Sequence, residues 1–295
     1  MKPATSAIVI TFNEEKNIEK CIESVAYWAN EIFIVDSGSS DRTLEIAKNF
    51  TGKIYHHPFE THARQWNWAF RNLPISSEWI LALDSDQKVT PELAREIQQA
   101  LADVPENVDG FYICRKQIFQ GRWIRHGGYY PKYLLKLMRR NRVHCDENEL
   151  LDFRFYVPGR TRKLQSDLIE DNKKDNDLSV WRAKHTRFAK LQAEEEFRRR
   201  RNGSHWSIHP SLFGTPDQKT LWLKNIWYHL PLYLRPFLYF FYRYFLRFGF
   251  LDGKQGLIFH FYQGFWYRLL VDIRLGELRK EERESIRTKM HTHVI

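Results

Sequence analysis

Two aspartates separated by one serine follow an apolar run in the stretch ILALDSD at residues 80–86. Like charges at this spacing repel each other and lose hydration at a strand end, unless a cation or strong donors neutralise them. Carboxylate oxygens suit Mg²⁺ or Mn²⁺, which usually keeps waters and takes its other ligands from substrate phosphates. The pair Asp84 and Asp86 therefore predicts a divalent-metal site beside a phosphate-bearing substrate, with a solvated turn as the alternative for an isolated pair.

Two other polar clusters follow apolar runs in the same way, namely TFNEE at residues 11–15 and DSGSSD at residues 36–41. Asp36 can accept hydrogen bonds from a nucleobase N–H or a ribose hydroxyl, and the serines and glycine after it supply hydroxyl and backbone donors. Asp41 and Ser40 can also cap a following helix. These residue types favour recognition of a nucleoside, with helix capping as the simpler alternative.

The elements that must position these clusters alternate between two periodicities. Asn13 is predicted to cap a helix whose apolar positions recur at three- and four-residue spacing. Strands are predicted at 7–10, 32–35, 53–55 and 79–83, and helices after residue 41, over 63–73 and over 91–101. This alternation predicts an α/β fold with a parallel sheet covered on both faces, in which ligands collect at the carboxyl ends of the strands. The three clusters should therefore converge on one crevice.

The chain changes character after this region. Residues 110–159 are less regular, with predicted strands at 111–114 and 133–138, and residues 160–220 are heavily charged, with a predicted helix over 180–200. From residue 221 onward Trp, Tyr, Phe, Leu and Arg dominate. We therefore predict a nucleotide-binding domain over 1–220 and an aromatic, basic helical region over 221–295.

Charge and cysteine usage restrict the partners and the compartment. Lys and Arg outnumber Asp and Glu by 46 to 36 in 295 residues, giving a net charge of +10, which suits nucleic acid, a phosphosugar or a membrane surface. Cys21, Cys114 and Cys145 form no C-x-x-C pair and no disulfide-like framework. We expect a reducing, cytoplasmic setting, and the short apolar run near the N-terminus is not expected to be a signal peptide.

The apolar stretches of the aromatic region are shorter than the thickness of a bilayer. A helix over 237–248 reaches only ~18 Å at ~1.5 Å per residue, against a hydrocarbon core of ~30 Å. Arg243 and Arg247 are four residues apart, which predicts one helix face for both. We expect amphipathic helices that lie in the membrane interface with arginines on anionic phosphates, and the alternative is a packed helical subdomain.

The three strand-end motifs occur in the order found in family 2 glycosyltransferases with the GT-A fold, and the chain resembles that family over residues 5–200. The resemblance implies an inverting, metal-dependent transfer of one sugar from a nucleotide diphosphate donor, with a UDP-hexose expected. It places Thr11, Asn13 and Glu14 in the nucleoside pocket and Asp36 against the base. It further implies that Ser39 and Arg64 contact the donor. It also implies that Asp84 and Asp86 bind the ribose and Mn²⁺ or Mg²⁺, with Asp86 as the direct metal ligand.

An inverting transfer also needs a carboxylate base for the acceptor hydroxyl. The resemblance directs attention to VHCDENE at residues 143–149, where Glu147 is the favoured base, Asp146 the second choice and Glu149 a weak third. A solvated acidic loop is the alternative. Many relatives have a metal-binding histidine further on, whereas this chain has LIEDN at residues 168–172, so Glu170 or Asp171 would have to serve.

The stretch at residues 250–268 resembles the tail of the lipopolysaccharide-core and capsule branch of the same family. The resemblance implies a lipid-linked or lipopolysaccharide-core saccharide as acceptor and an anionic membrane surface as partner. It also implies a peripheral or monotopic location at the cytoplasmic face of the inner membrane.

Two other classes of protein compete with this interpretation. A sugar-phosphate nucleotidyltransferase has similar metal aspartates, but usually a Gly-rich phosphate loop stands where this chain has TFNEE. A basic nucleic-acid-binding protein would explain the charge, but no helix-turn-helix, zinc or RNA-binding signature is visible, so no nucleic-acid partner is expected.

Overall fold

The computed structural model describes residues 4–151, 153–203 and 206–292. Its first part alternates strands and helices, as the apolar periodicity predicts. These elements are β1 (Thr5–Thr11), α1 (Ile18–Ala26), β2 (Glu31–Asp36), α2 (Thr43–Lys48), β3 (Ile54–His56), α3 (His62–Asn72), β4 (Trp79–Asp84), β5 (Gln87–Val89) and α4 (Pro91–Ala102).

The second part contributes more strands and then only helices. The strands are β6 (Val108–Phe119), β7 (Arg122–Trp123), β8 (Tyr133–Arg139), β9 (His144–Cys145), β10 (Phe155–Tyr156) and β11 (Arg160–Glu170). The helices are α5 (Leu178–Asn202), α6 (Pro216–His229), α7 (Arg235–Phe241), α8 (Gly253–Phe259) and α9 (Tyr267–Thr292). A π-helical turn follows α7 at Tyr242–Leu246, and another follows α8 at His260–Trp266.

The main sheet has the strand order β3-β2-β1-β4-β8-β6-β11-β5, with β7 paired to β6. The first four strands are parallel, as predicted. The prediction of a wholly parallel sheet is wrong beyond β4, because β8 runs antiparallel to both of its neighbours and β5 runs antiparallel to β11. The short connection from β6 to β8 returns the chain without a crossover helix, which only an antiparallel pair permits.

Helices cover both faces of the sheet, as predicted. Alternate residues of each strand point to opposite faces, so Val9 of β1 packs with α1 and α4 on one face. Its neighbour Ile8 packs with Trp66 of α3 on the other face. Both layers are buried, which explains why the central strands are apolar along their whole length.

The predicted cap of the first helix is wrong. Asn13 has a left-handed backbone with φ 52°, and α1 begins only at Ile18. The Oδ1 atom of Asn13 instead accepts a hydrogen bond from the backbone N–H of Ser40 at 2.7 Å. Asn13 therefore connects the loops after β1 and β2 rather than starting a helix.

The C-terminal helices pack on α5 and not only on each other. Ala189 and Ala193 of α5 are buried against Val271 and Leu275 of α9. The predicted domain boundary at residue 220 stays a prediction. The contacts between α5 and α9 join residues from both sides of this boundary. Across the described ranges, no helix combines the length and the apolar character that a bilayer span requires.

The prediction that Arg243 and Arg247 share a helix face is wrong. Arg243 is only 6% exposed, whereas Arg247 is exposed. The π-helical turn over Tyr242–Leu246 explains the difference, since its i→i+5 hydrogen bonds widen the turn and residues four apart no longer align.

A buried arginine of α7 joins three helices. Arg235 is fully buried, and its Nη1 atom lies 2.9 Å from Oε1 of Glu196 in α5. Its Nη2 atom lies 2.5 Å from Oδ1 of Asp272 in α9. Glu196 also pairs with Arg200 at 2.6 Å, so Asp272 is the carboxylate that depends most on Arg235 for its neutralisation.

We expect Arg235→Met to lower the free energy of unfolding by ~3–5 kcal/mol, because it leaves the buried carboxylate of Asp272 without its cationic partner. Urea denaturation of the full chain measures this change. Lys20→Ala removes the exposed Lys20–Glu23 pair and is the control, with a far smaller expected change. Equal effects of the two substitutions would contradict the role of the buried network.

Candidate active site

The carboxyl ends of three neighbouring strands hold the three polar clusters. In the sheet register Thr11 of β1 pairs with Asp36 of β2, and Ile10 pairs with Asp84 of β4. The backbone N–H of Asn13 donates to Oγ of Ser39 at 2.8 Å, which holds the first two clusters together. The predicted convergence on one edge of the sheet is confirmed.

Asp36 organises the loop that follows its own strand. Its side chain is buried, and Oδ2 accepts hydrogen bonds from the backbone N–H groups of Gly38 at 2.8 Å and Ser39 at 3.0 Å. The Ser39 hydroxyl donates to Oδ1 at 2.5 Å. Gly38 has φ 97°, a conformation that favours glycine. The assignment of Asp36 and Ser39 to the donor base stays a prediction.

The other residues predicted for the donor differ in their surroundings. Thr11 is buried, and its Oγ1 atom has no hydrogen-bond partner within the part of the chain that the structure describes. Glu14 pairs with Lys174 at 2.5 Å and accepts from Asn17 at 2.6 Å. Arg64 is half exposed on α3 and pairs with Glu60 and Glu147, which lie outside the strand-end clusters.

Asp84 is held ionised by a buried lysine. The Lys136 ammonium of β8 donates to Oδ2 of Asp84 at 2.9 Å, and its own side chain is only 5% exposed. Burial opposes ionisation of Asp84, but the positive charge of Lys136 outweighs it, and the pKa of Asp84 is lowered. Sequence reasoning missed Lys136, although a single lysine in the apolar strand YLLKLMR was a signal.

Asp86 has the opposite environment. Its Oδ2 atom accepts a hydrogen bond from Nδ2 of Asn172 at 3.0 Å, while Oδ1 is buried and has no partner among the described residues. Burial, followed by the nearby carboxylates of Glu170 and Asp84, raises the pKa of Asp86 well above its ordinary range. No cationic side chain within the described ranges forms an ion pair with this carboxylate.

The acidic neighbours of Asp86 already have cationic partners. Glu170 pairs with Arg115 at 3.1 Å, and Asp171 pairs with Lys88 at 3.0 Å. Glu170 and Asp171, the expected substitutes for a metal-binding histidine, are thus engaged elsewhere. Within residues 4–151, 153–203 and 206–292, no group of three or more His, Cys, Asp or Glu side chains could hold a metal ion by itself.

The unpartnered Asp86 oxygen fits a divalent cation that takes its remaining ligands from waters and substrate phosphates. Gln87 stands where a further acid would add a ligand. Its Oε1 atom accepts from the backbone N–H of Asp84 at 3.1 Å, and its Nε2 atom donates to Glu170 at 2.9 Å. Gln87 therefore holds the acidic turn in shape and adds no charge to it.

A cavity of about 760 Å³ opens beside Asp86. One wall comes from the sheet and α5, and the other comes from the C-terminal helices. The lining residues include Arg115, Lys132, Tyr133, Lys163, Glu170, Trp181, Lys184, His185, Tyr239, Arg243 and Arg268. The cavity thus joins the strand-end acid to basic and aromatic side chains from both halves of the chain.

The predicted bases lie outside the lining of this cavity. Glu147 accepts from Nδ2 of Asn67 at 3.0 Å and lies 3.5 Å from Nε of Arg64, beside α3. Asp146 accepts from the Ser207 hydroxyl at 2.9 Å. The structure therefore does not bring Glu147 or Asp146 to the wall that Asp86 lines, and their catalytic role stays a prediction.

Glu149, the weak third choice, is buried in a structural pairing. Its Oε1 atom lies 3.0 Å from Nη1 of Arg154, and the Tyr156 hydroxyl donates to it at 2.7 Å. Arg154 and Tyr156 thus hold the Glu149 carboxylate in a structural role beside β9 and β10.

The sheet, the helices on both faces and the strand-end acids define a mixed α/β protein of the GT-A type. The family model described as glycosyl transferase family 2 matches residues 6–160, more than half of the chain, and the protein belongs to this family. The match includes all three strand-end clusters and Glu147.

Individual relatives match shorter parts. An uncharacterized glycosyltransferase of Rickettsia bellii is 36% identical over 97 residues, covering 33% of this chain and 32% of the relative. The lipopolysaccharide core biosynthesis glycosyltransferase LpsC of Rhizobium meliloti is 30% identical over 151 residues, covering 48% of this chain and 53% of LpsC. The chain thus spans about a third to a half of the length of these relatives.

Among solved structures, glucosyl-3-phosphoglycerate synthase from Mycobacterium tuberculosis, in complex with Mg²⁺ and UDP, is similar at a TM-score of 0.35. The two chains are 17% identical, and the alignment covers 47% of this chain and 57% of that one.

Because Asp84 and Asp86 have opposite pKa shifts, we expect their substitution by asparagine to change the stability of the metal-free protein in opposite directions. The raised pKa of Asp86 means that stability falls as pH rises above the ordinary aspartate value of ~3.9, so Asp86→Asn should stabilise at pH 7. The lowered pKa of Asp84 means that its stabilisation is present above that value and is lost in acid, so Asp84→Asn should destabilise at pH 7.

Urea denaturation midpoints in a chelating buffer, measured from pH 8 down to pH 4, test this pair. The difference between Asp86→Asn and wild type should shrink toward pH 4, because Asp86 is then protonated in the folded protein and close to protonation in the unfolded chain. The difference between Asp84→Asn and wild type should largely persist at pH 4, because the lowered pKa of Asp84 keeps this carboxylate ionised in the folded protein. A lower midpoint for Asp86→Asn than for wild type at pH 7 would show that Asp86 has a counter-ion in the protein.

Proposed function

We propose that the protein transfers one sugar, with inversion, from a nucleotide diphosphate sugar to a hydroxyl of a lipid-linked or lipopolysaccharide-core saccharide. A UDP-hexose is the proposed donor. The observation that carries the proposal is the buried, unpartnered oxygen of Asp86 at the edge of a basic cavity, inside the region that matches family 2. The similarity to LpsC, a lipopolysaccharide core biosynthesis glycosyltransferase, supports a saccharide acceptor of the lipopolysaccharide core.

The residues at the strand ends have distinct proposed tasks toward the donor. Thr11 offers its hydroxyl to the nucleoside, and the connected loops after β1 and β2, with Asn13 and Asp36, surround the base. Asp86, with Asp84, would hold Mn²⁺ or Mg²⁺, which neutralises the charge that develops on the leaving diphosphate. Lys136 keeps Asp84 ionised, and Asn172 orients Asp86.

The acceptor hydroxyl must lose its proton as it attacks the anomeric carbon from the face opposite the diphosphate. Glu147, followed by Asp146, is the base that the sequence favours. Glu170 is a competitor, because it lines the cavity beside Asp86, although Arg115 holds its carboxylate. A base must come within hydrogen-bond reach of the hydroxyl, so these carboxylates can be separated by their effects on turnover.

Transfer from UDP-hexoses to an extract of bacterial membranes, followed by mass spectrometry of the product, tests the proposed function. We expect a product that gains one hexose, only when Mn²⁺ or Mg²⁺ is present. Incorporation of a nucleotide from a nucleoside triphosphate into a sugar phosphate would instead identify a nucleotidyltransferase. Binding of UDP with no transfer to any glycan would contradict the proposed activity.

In the same assay, substitution of the base should lower kcat by about a hundredfold or more. Glu147→Gln, Asp146→Asn and Glu170→Gln are compared one at a time, with UDP binding in the presence of Mn²⁺ as the control for an intact donor site. We expect Glu147→Gln to lose turnover and keep UDP binding. Full activity of both Glu147→Gln and Asp146→Asn, with loss only in Glu170→Gln, would move the assignment to Glu170.

The C-terminal helices expose several aromatic rings, which we call the aromatic surface. It consists of Phe237, Phe241, Phe245, Phe248 and Phe250, each at least 43% exposed. Two pairs of these rings are in contact, Phe241 with Phe245 at 5.2 Å between centroids and Phe248 with Phe250 at 6.1 Å. Exposed apolar surface of this extent is typical of an interaction site.

We propose that the aromatic surface lies on the anionic cytoplasmic face of the inner membrane, so that the protein is peripheral or monotopic. Exposed Arg247 and Lys254 lie beside these rings in the chain and supply the positive charge that anionic headgroups require. Rings at the depth of the headgroups and cations on lipid phosphates are the usual combination for interfacial helices.

We expect the full chain to float with vesicles that contain anionic lipid, and the double variant Phe241→Ser, Phe245→Ser to lose most of this binding. The reason is the loss of two rings from the interfacial contact. Tyr27→Ser is the control, since Tyr27 is an exposed aromatic residue outside the C-terminal helices. Failure of the wild-type chain to bind anionic vesicles would contradict the proposed location.

A further inference from the structure

The cavity beside Asp86 contains a buried arginine from the C-terminal helices. Arg243 lies in the π-helical turn after α7, and its guanidinium lies 3.8 Å from the centroid of the Tyr129 ring. Its Nη1 atom donates to the Tyr239 hydroxyl at 2.6 Å. Two tyrosines therefore fix the plane and one edge of the guanidinium.

The other edge of this guanidinium has no partner. The Nε and Nη2 atoms of Arg243 are buried without a hydrogen-bond acceptor, and no carboxylate of the described residues forms an ion pair with Arg243. The acid nearest in the chain, Asp252, is buried and engaged with His126, whose Nδ1 lies 2.6 Å from Asp252 Oδ1. A buried charge without a partner is strongly unfavourable, so this arrangement indicates that an anionic ligand supplies the missing acceptor.

The geometry of the free edge specifies the kind of anion. Nε and Nη2 point in the same direction and form a two-donor fork that matches the paired oxygens of a phosphate or a carboxylate. The cavity walls add positive charge through Lys163 and through Lys184, which also pairs with Asp175 at 2.6 Å.

Asp86 and Arg243 both line this cavity but belong to different walls. Asp86 comes from the strand ends, to which the donor diphosphate is assigned, whereas Arg243 comes from the C-terminal helices. Membrane phosphates are a less suitable partner for Arg243, because this side chain is buried while Arg247 is the exposed arginine of the same segment.

We propose that Arg243 binds an oxyanion, a phosphate or a carboxylate, carried by the acceptor saccharide. This proposal rests on the proposed glycosyl transfer and names the chemical class of its acceptor. Arg243 then selects a charged acceptor over a neutral one and positions the sugar that bears the attacking hydroxyl.

Binding of small anions to the full-length protein tests this assignment without requiring turnover. The probes are inorganic phosphate, glucose 6-phosphate, glucuronate and neutral glucose, measured by isothermal titration calorimetry with UDP and Mn²⁺ present. We expect saturable binding of phosphate and of at least one charged sugar, competition between them, and much weaker binding of glucose. Preference for glucose 6-phosphate or for glucuronate distinguishes an acceptor phosphate from a carboxylate.

Arg243→Gln should weaken phosphate binding by about tenfold or more and leave the affinity for UDP unchanged. Arg95→Gln is the matched control and should change neither affinity, since Arg95 is exposed on α4 and does not line the cavity. If Arg243→Gln does not fold, Arg243→Lys replaces it, with an expected loss of about threefold because the two-donor fork is absent.

Unchanged phosphate binding in the folded variant overturns the assignment. An equal loss of UDP affinity also overturns it, because Arg243 would then belong to the donor site. Inactivity of the wild-type enzyme with UDP-hexoses, together with intact Arg243-dependent phosphate binding, would refute the proposed transfer while leaving the anion site in place.

Discussion

The constraint on which the site depends is the repulsion between carboxylates that the sheet brings to one edge. The parallel strands β1, β2 and β4 end side by side, so acids that are far apart in the chain become neighbours. Most of these acids are balanced within the protein, for example Asp84 by Lys136 and Glu14 by Lys174. Asp86 has no cationic partner among the described residues and one buried oxygen without a donor, and this is the physical basis for the proposed affinity for a metal and a diphosphate.

A second charge imbalance has the opposite sign and comes from the C-terminal helices. Arg243 carries a buried positive charge with an unpartnered edge, while Asp86 carries a buried oxygen without a donor. Both residues line one cavity, so the walls offer separate positions for a cation and for an anion. A transferase that joins a metal-bound donor to a charged acceptor needs this separation.

The C-terminal helices can form that wall only if they are held against the rest of the protein. Arg235 provides one connection, since it pairs with Glu196 of α5 and Asp272 of α9 in a fully buried position. Small residues of α5 packed on α9 provide another. The same helices also carry the exposed rings of the aromatic surface.

The sequence by itself determined the four parallel strands, the helices on both faces and the convergence of the clusters around Thr11, Asp36 and Asp84. These features follow from local periodicity and from the rule that parallel strands end at one edge. Only the tertiary structure decided which charges are balanced. The pairing of Lys136 with Asp84, the bond of Asn13 to the loop after β2 and the burial of Arg243 depend on contacts between residues distant in the chain. Local patterns do not encode such contacts, because burial and partner choice arise when separate elements pack together.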